Sequence, residues 1–280
     1  MPETPARFRW LAVALTLASA VACARPVAPA PGPVEVAWDD STVEARGAWV
    51  NLTLARPVPP AGPPQFVVVF ASGDGGLSGI SAAVLEHLAG RGLWVAGFSS
   101  EEAFESVMSD PESARRSNYS AARDTFAAIV AQAKRGFGLP DGTPIITAGM
   151  SRGANVVIAS AGDPMLRPGM IGAVAIALTR EFDALTVSDA AKKLSTVKTD
   201  DQGRIQTYPA IERLGSLPLA IIQSTNDDYV PSAESRRLLG ADTATRRLYE
   251  VTATNHDFDG GRDVLMRDLD DAIDWIKASR

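Results

Sequence analysis

The chain has little cysteine, little histidine and no excess of positive charge. Among its 280 residues there is one cysteine, Cys23, and there are two histidines, His87 and His256. A single cysteine excludes an internal disulfide. The formal net charge is −6, so the broad basic face of a nucleic-acid binder is not expected and no nucleic-acid partner is assigned. The longest apolar run, "WLAVALTLASAVA", falls short of the roughly 20 residues needed to span a bilayer. There is no internal repeat, and no biased tract beyond a proline- and alanine-rich stretch near the start.

That short apolar run follows Arg7 and Arg9 and ends in small residues before Cys23. A basic start, an apolar middle and small residues at the end predict a secretory signal over residues 1–22. The end of the run fits two cleavages at the same bond. "AVAC" fits a lipobox, in which Cys23 becomes the lipidated first residue and the membrane partner is the lipid anchor. "AVA" also fits ordinary small-residue cleavage. A lone cysteine at that bond favours lipidation, and with it an exported, envelope-anchored, periplasmic protein. Residues 23–35, "CARPVAPAPGPVE", predict an extended tether. The remaining residues, 36–280, are enough to bury one sizeable core.

Strand and helix patterns alternate through that region. "VEVAW" and "AWVNLTL" suggest a leading hairpin. "QFVVVFA", "LWVAGFS", "PIITAGM", "MIGAVAIAL", "LPLAIIQS" and "TRRLYEVT" predict further strands, several apolar throughout and therefore buried on both faces. "SAAVLEHLAG", "YSAARDTFAAIVAQAKRGFG", "RGANVVIASAG" and "RDVLMRDLDDAIDWIKAS" predict helices between and after them. The alternation predicts an α/β class with a mostly parallel central sheet and helices on both faces. The segment 179–217 breaks the pattern and predicts a small insertion after the sixth strand, over one end of the sheet.

"GMSRG", Gly149 to Gly153, lies between a predicted buried strand and a predicted helix. A reversal that tight strains its central residue and leaves no room for a Cβ at either glycine. It holds the Ser151 hydroxyl at the sheet edge, with the N-terminus of the next helix behind it. A serine hydroxyl needs a base to act as a nucleophile at neutral pH. His256, in the loop after the last predicted strand, is the candidate. His87 lies within an apolar helix pattern and reads as a boundary residue. "NDDYVP" follows another buried strand and supplies the acid, Asp227 or alternatively Asp228, which would fix the imidazole tautomer. The loop "HDFDGGRD" reads as a turn rather than a metal site, so no metal and no cofactor is expected.

"FASGDGGLSG" follows the first long buried strand. Its glycines can turn successive N–H groups toward one point, as an oxyanion requires. The expected donors are the backbone of Arg152 and that of Asp74 or its neighbours Gly73 and Gly75. Asp74 is the odd residue in such a place. Pairing with Arg152, reception of a cationic part of the substrate and simple closure of the turn are all open.

The chain resembles the α/β-hydrolase superfamily over roughly 64–276, through "GMSRG", "NDDYVP" and "NHDF" in that order. "FASGDGG" and "GLWVAGFSS" resemble more narrowly the exported VirJ/AcvB group of bacterial virulence-associated proteins, from which Leu77 and Arg152 depart. The resemblance implies Ser151 as nucleophile, His256 as base and the Gly73–Gly75 loop in the oxyanion hole. It further implies an envelope serine hydrolase acting on an ester, with an aminoacyl phospholipid or another small or lipid ester as substrate. The alternative is a binding or scaffold lipoprotein that keeps the fold without turnover.

Overall fold

A computed structural model describes residues 34–60, 62–108, 119–186 and 198–279. The expected leader, the lipidation site Cys23 and the tether up to residue 33 lie outside the described residues. In chain order the strands are β1 (Glu35–Ala45), β2 (Ala48–Val58), β3 (Val67–Ala71), β4 (Val95–Phe98), β5 (Ile145–Met150), β6 (Met170–Ile176), β7 (Glu181–Thr186), β8 (Arg204–Gln206), β9 (Leu219–Ser224) and β10 (Arg246–Val251). The helices are α1 (Gly79–Gly90), α2 (Ser100–Met108), α3 (Tyr119–Gly136), α4 (Arg152–Ala161), α5 (Thr207–Ala210), α6 (Ser232–Leu239) and α7 (Arg262–Ala278).

Eight strands form one sheet in the order β1-β2-β4-β3-β5-β6-β9-β10. β1 and β2 are the expected antiparallel hairpin, and β2 also meets β4 antiparallel. From β4 through β3, β5, β6, β9 and β10 every pairing is parallel. Parallel neighbours end at the same edge of a sheet, so the loops after β3, β5, β9 and β10 all emerge there.

Period-two alternation divides the core between the two faces. Val67, Val69 and Ala71 join the side covered by α2, α3 and α4, while Val68 and Phe70 join the side covered by α1 and α7. Every residue of β3, β5 and β9 is buried, as their largely apolar runs require.

Two helices have no clear signal in the sequence. α2 buries Ala103, Phe104 and Val107, a helical spacing too short to stand out. α6 buries Ser232 and Ser235, and is held partly by a hydrogen bond of 2.7 Å between Tyr208 Oη and Ser235 Oγ. A hydrophobic pattern cannot reveal a helix whose buried face is polar. Between β6 and β9, β7 pairs antiparallel with β8, with Phe182 opposite Ile205. Residues 187–197 of that stretch are outside the description. Asn155 pins the stretch to α4, its Nδ2 donating to Thr179 Oγ1 at 2.7 Å and to the Glu181 carbonyl at 3.2 Å. No helix among the described residues is long and apolar enough to cross a membrane.

Candidate active site

The turn from β5 to α4 has the strain its sequence predicts. Ser151 sits at φ 53°, ψ −118°, a region L-residues avoid unless their surroundings enforce it. Its N–H donates to the Ile176 carbonyl of β6 at 2.8 Å. A Cβ built on Gly149 would lie 2.3 Å from the Gly153 carbonyl oxygen, and one on Gly153 would lie 2.1 Å from the Ala71 carbonyl oxygen. Both neighbours are backbone and cannot swing away. Gly153→Ala is therefore expected to cost about 3 kcal/mol or more, or to prevent folding, because the elbow must open to admit the methyl. Thermal denaturation checks this, and an unchanged Tm would contradict it.

The loop after β9 and the loop after β10 meet. His256 Nδ1 lies 2.7 Å from Asp227 Oδ2, with the Asp227 side chain fully buried and that of His256 13% exposed. Asp227 Oδ1 accepts the N–H groups of Tyr229 at 2.8 Å and Val230 at 3.1 Å. With its carboxylate so occupied, Asp227 is the acid the structure brings to the histidine. Asp228, the alternative, is exposed. His256 Nε2 is buried and finds no hydrogen-bond partner among the described residues. The Tyr229 ring stands edge-on to the imidazole, 4.8 Å between centroids. In the same loop, Asn255 Oδ1 accepts the N–H groups of Asp257 and Asp259, and Asp259 pairs with Arg262 at 2.8 Å. His87 is elsewhere, tying α1 to α7 through Asp270 at 2.7 Å.

The glycine loop after β3 lies against the elbow. A Cβ on Gly73 would stand 3.5 Å from Ser151 Cβ. The Gly73 N–H donates to Ser81 Oγ at 3.2 Å, and its carbonyl accepts Ser72 Oγ at 2.9 Å and the Gly76 N–H at 3.2 Å. Gly73 thus frames the loop, and its own N–H is not available as an oxyanion donor. The N–H groups of Asp74 and Gly75 have no acceptor among the described residues. Arg152 opens α4, where helix N–H groups lack intrahelical acceptors. The Asp74 side chain pairs with Arg152, Oδ1 to Nε 3.1 Å, the first of the alternatives left open for it. The Arg152 guanidinium also lies over the Phe104 ring, 5.8 Å from its centroid.

Phe104 further lines an apolar cavity between α2, α3 and α4, with Val156, one turn along from Arg152, and Phe182 of β7. Its volume is about 40 Å³, room for a few waters.

Ser81 carries no sequence motif. It is an ordinary residue of α1, and only its contact with Gly73 gives it a part in the site.

No family model matches the chain, and no curated protein matches it, so the narrower VirJ/AcvB resemblance gains no support from either. Solved structures do match over most of its length. Est1E from Butyrivibrio proteoclasticus is similar at a TM-score of 0.57 and 15% identity, covering 85% of this chain and 99% of that one. XC6422 from Xanthomonas campestris, described as an α/β serine hydrolase without a lid, is similar at 0.54 and 15% identity, covering 84% and 93%. The esterase domain of a Rhodothermus marinus protein is similar at 0.55 and 16% identity, covering 84% and 96%. The chain has the α/β-hydrolase fold.

Proposed function

We propose that the protein is a serine hydrolase that cleaves a carboxylic ester through an acyl-enzyme. The observation that carries this reading is the buried contact of 2.7 Å between His256 Nδ1 and Asp227 Oδ2. It leaves Nε2 unpartnered at the same sheet edge as the strained Ser151. A histidine whose Nδ1–H is held by a carboxylate presents a basic Nε2. Ser151 Oγ attacks the acyl carbonyl, and His256 takes its proton and returns it to the leaving alcohol. Water activated by the same imidazole then releases the acid. The Asp74, Gly75 and Arg152 N–H groups hold the oxyanion, each donor supplying a factor on the order of 10²–10³. Apo serine–histidine contacts are often loose and tighten when substrate binds.

An aminoacyl phospholipid is the finer substrate, on the resemblance of the "SGDGG" loop to the VirJ/AcvB group. The lipobox-like "AVAC" supports an exported protein held at the bacterial envelope by a lipid on Cys23.

Fluorophosphonate labelling tests the reading. The full chain is expected to label, and a Ser151→Ala variant to remain unlabelled. A wild-type chain that resists the probe and turns over no ester would favour a non-catalytic scaffold. Because Asp74 already pairs with Arg152, Asp74→Asn is expected to slow cationic and neutral esters alike, by about tenfold or less. A loss confined to cationic esters, in a matched kcat/KM panel, would return Asp74 to the role of ammonium receptor.

A further inference from the structure

β9 ends on two polar residues, Gln223 and Ser224, both fully buried. A buried amide carries two donor hydrogens and a carbonyl acceptor, and leaving any of them unmet is costly. Gln223 meets all three. Its Oε1 accepts the Leu178 N–H at 3.0 Å. Its Nε2 donates to Asp227 Oδ2 at 2.9 Å and to the Val230 carbonyl at 2.6 Å. The network fixes the orientation of the amide. Only an oxygen can face the Leu178 N–H, and only the nitrogen can face a carboxylate and a carbonyl.

These partners belong to two halves of the site. Leu178 follows Ala177, a fully buried residue held at φ 53°, whose N–H donates to the Ile222 carbonyl at 2.9 Å. Just before it, the Ile176 carbonyl accepts the Ser151 N–H. The exit of β6 is therefore caught between the elbow and Gln223. On its other side, Gln223 holds the same Asp227 oxygen that His256 contacts. Without it, Oδ2 would keep His256 as its single partner and the carboxylate would lose one restraint on its rotation.

We propose that Gln223 is a positioning residue. It fixes the Asp227 carboxylate, and through it the His256 ring, against the β6 exit on which Ser151 is seated. The proposal rests on the serine-hydrolase reading above. It differs from a merely structural role, in which Gln223 would only satisfy the backbone of two loops.

Two variants separate the roles. Gln223→Met keeps the length and removes the donor, so the imidazole loses registry with Ser151. With the full chain, kcat and the rate of fluorophosphonate labelling are expected to fall by about 10–100-fold, the range that misplacing a reacting group by an ångström brings. KM should change little. Gln223→Glu keeps the shape and sets a second carboxyl beside Asp227. Two buried carboxyls so close share a proton, so the pair carries the charge of Asp227 alone and the protonated side chain still donates to Asp227 Oδ2. Labelling of this variant should stay near the wild-type rate at low pH and fall by about tenfold or more as the shared proton is lost at higher pH, a limb the wild type lacks. Tyr208 is a further titratable group that feels the Asp227 charge. The Tyr208 phenol is pushed up to about 12, chiefly by burial, with the Asp227 charge adding, so it is neutral across the assay range.

Folded variants with the wild-type labelling rate and the wild-type pH profile would overturn the proposal. If the methionine variant does not fold, the isosteric glutamate variant decides alone, and a pH profile identical to that of the wild type overturns it. A wild-type chain that fails to label at Ser151 is a different failure, one that removes the hydrolase reading before any Gln223 variant is made.

Discussion

Ser151→Ala is expected to lower kcat by a factor of about 10⁶, leaving only the catalysis that oxyanion binding and substrate positioning supply without a nucleophile. The loss should come without loss of fold. The serine side chain makes no hydrogen bond among the described residues, and alanine faces the same φ of 53° that serine already bears. The strain at the elbow is imposed by the backbone, through Gly149 and Gly153, and not by the hydroxyl. A Tm near that of the wild type, with initial rates at the limit of detection, is the combined result to look for. An alanine variant that keeps a tenth of the wild-type rate would place the nucleophile elsewhere.

The second large effect is expected at the acid. Asp227→Asn keeps the shape of the side chain but replaces an anionic acceptor by an amide. His256 then loses the partner that fixes its tautomer and stabilises the imidazolium, a change worth about 10⁴ in kcat where it has been isolated in serine hydrolases. Asp228→Asn should leave kcat within about threefold of wild type, as befits an exposed surface carboxylate. The two aspartates are adjacent in sequence, which makes the comparison sharp. Nearly every local property is shared, and they differ in which side chain points inward. Equal losses at both positions would show that the loop rearranges when substrate binds.

The elbow illustrates how local sequence specifies a site. Gly149 and Gly153 are required because backbone oxygens fill the places where their side chains would be. That constraint is readable from the pentapeptide together with the strand before it and the helix after it. The same holds for the strands themselves. β3 is apolar throughout, and β5 and β9 are apolar apart from buried Thr147, Gln223 and Ser224, so their burial in a parallel sheet follows from composition. α2 and α6 were not readable in this way. One is short, and the other buries serines, so neither presents a hydrophobic stripe.

The site divides along the same line. Candidate nucleophile, base and acid were visible because each sits in a loop just past a strand, where parallel topology delivers loops to one edge. What lay beyond the sequence was every choice between near-equivalent groups. Asp227 rather than Asp228 faces His256. Asp74, though exposed, pairs with Arg152. The Gly73 N–H turns to Ser81, while those of Asp74 and Gly75 have no acceptor among the described residues. Each of these depends on backbone torsions and on neighbours distant in the chain. Gln223 was hidden for a related reason. A single polar residue in a strand has no pattern, and its importance arises only when Leu178, Asp227 and Val230 are brought around it.

The sequence by itself determined the layered α/β architecture, the elbow and the order of serine, acid and histidine, because these follow from periodicity, glycine sterics and the placement of polar residues at strand ends. Only the tertiary structure decided which carboxylate meets the imidazole and which loop amides have no acceptor among the described residues. Hydrogen bonds are directional and short-ranged, and residues far apart in the chain meet at one rim of the sheet only after folding.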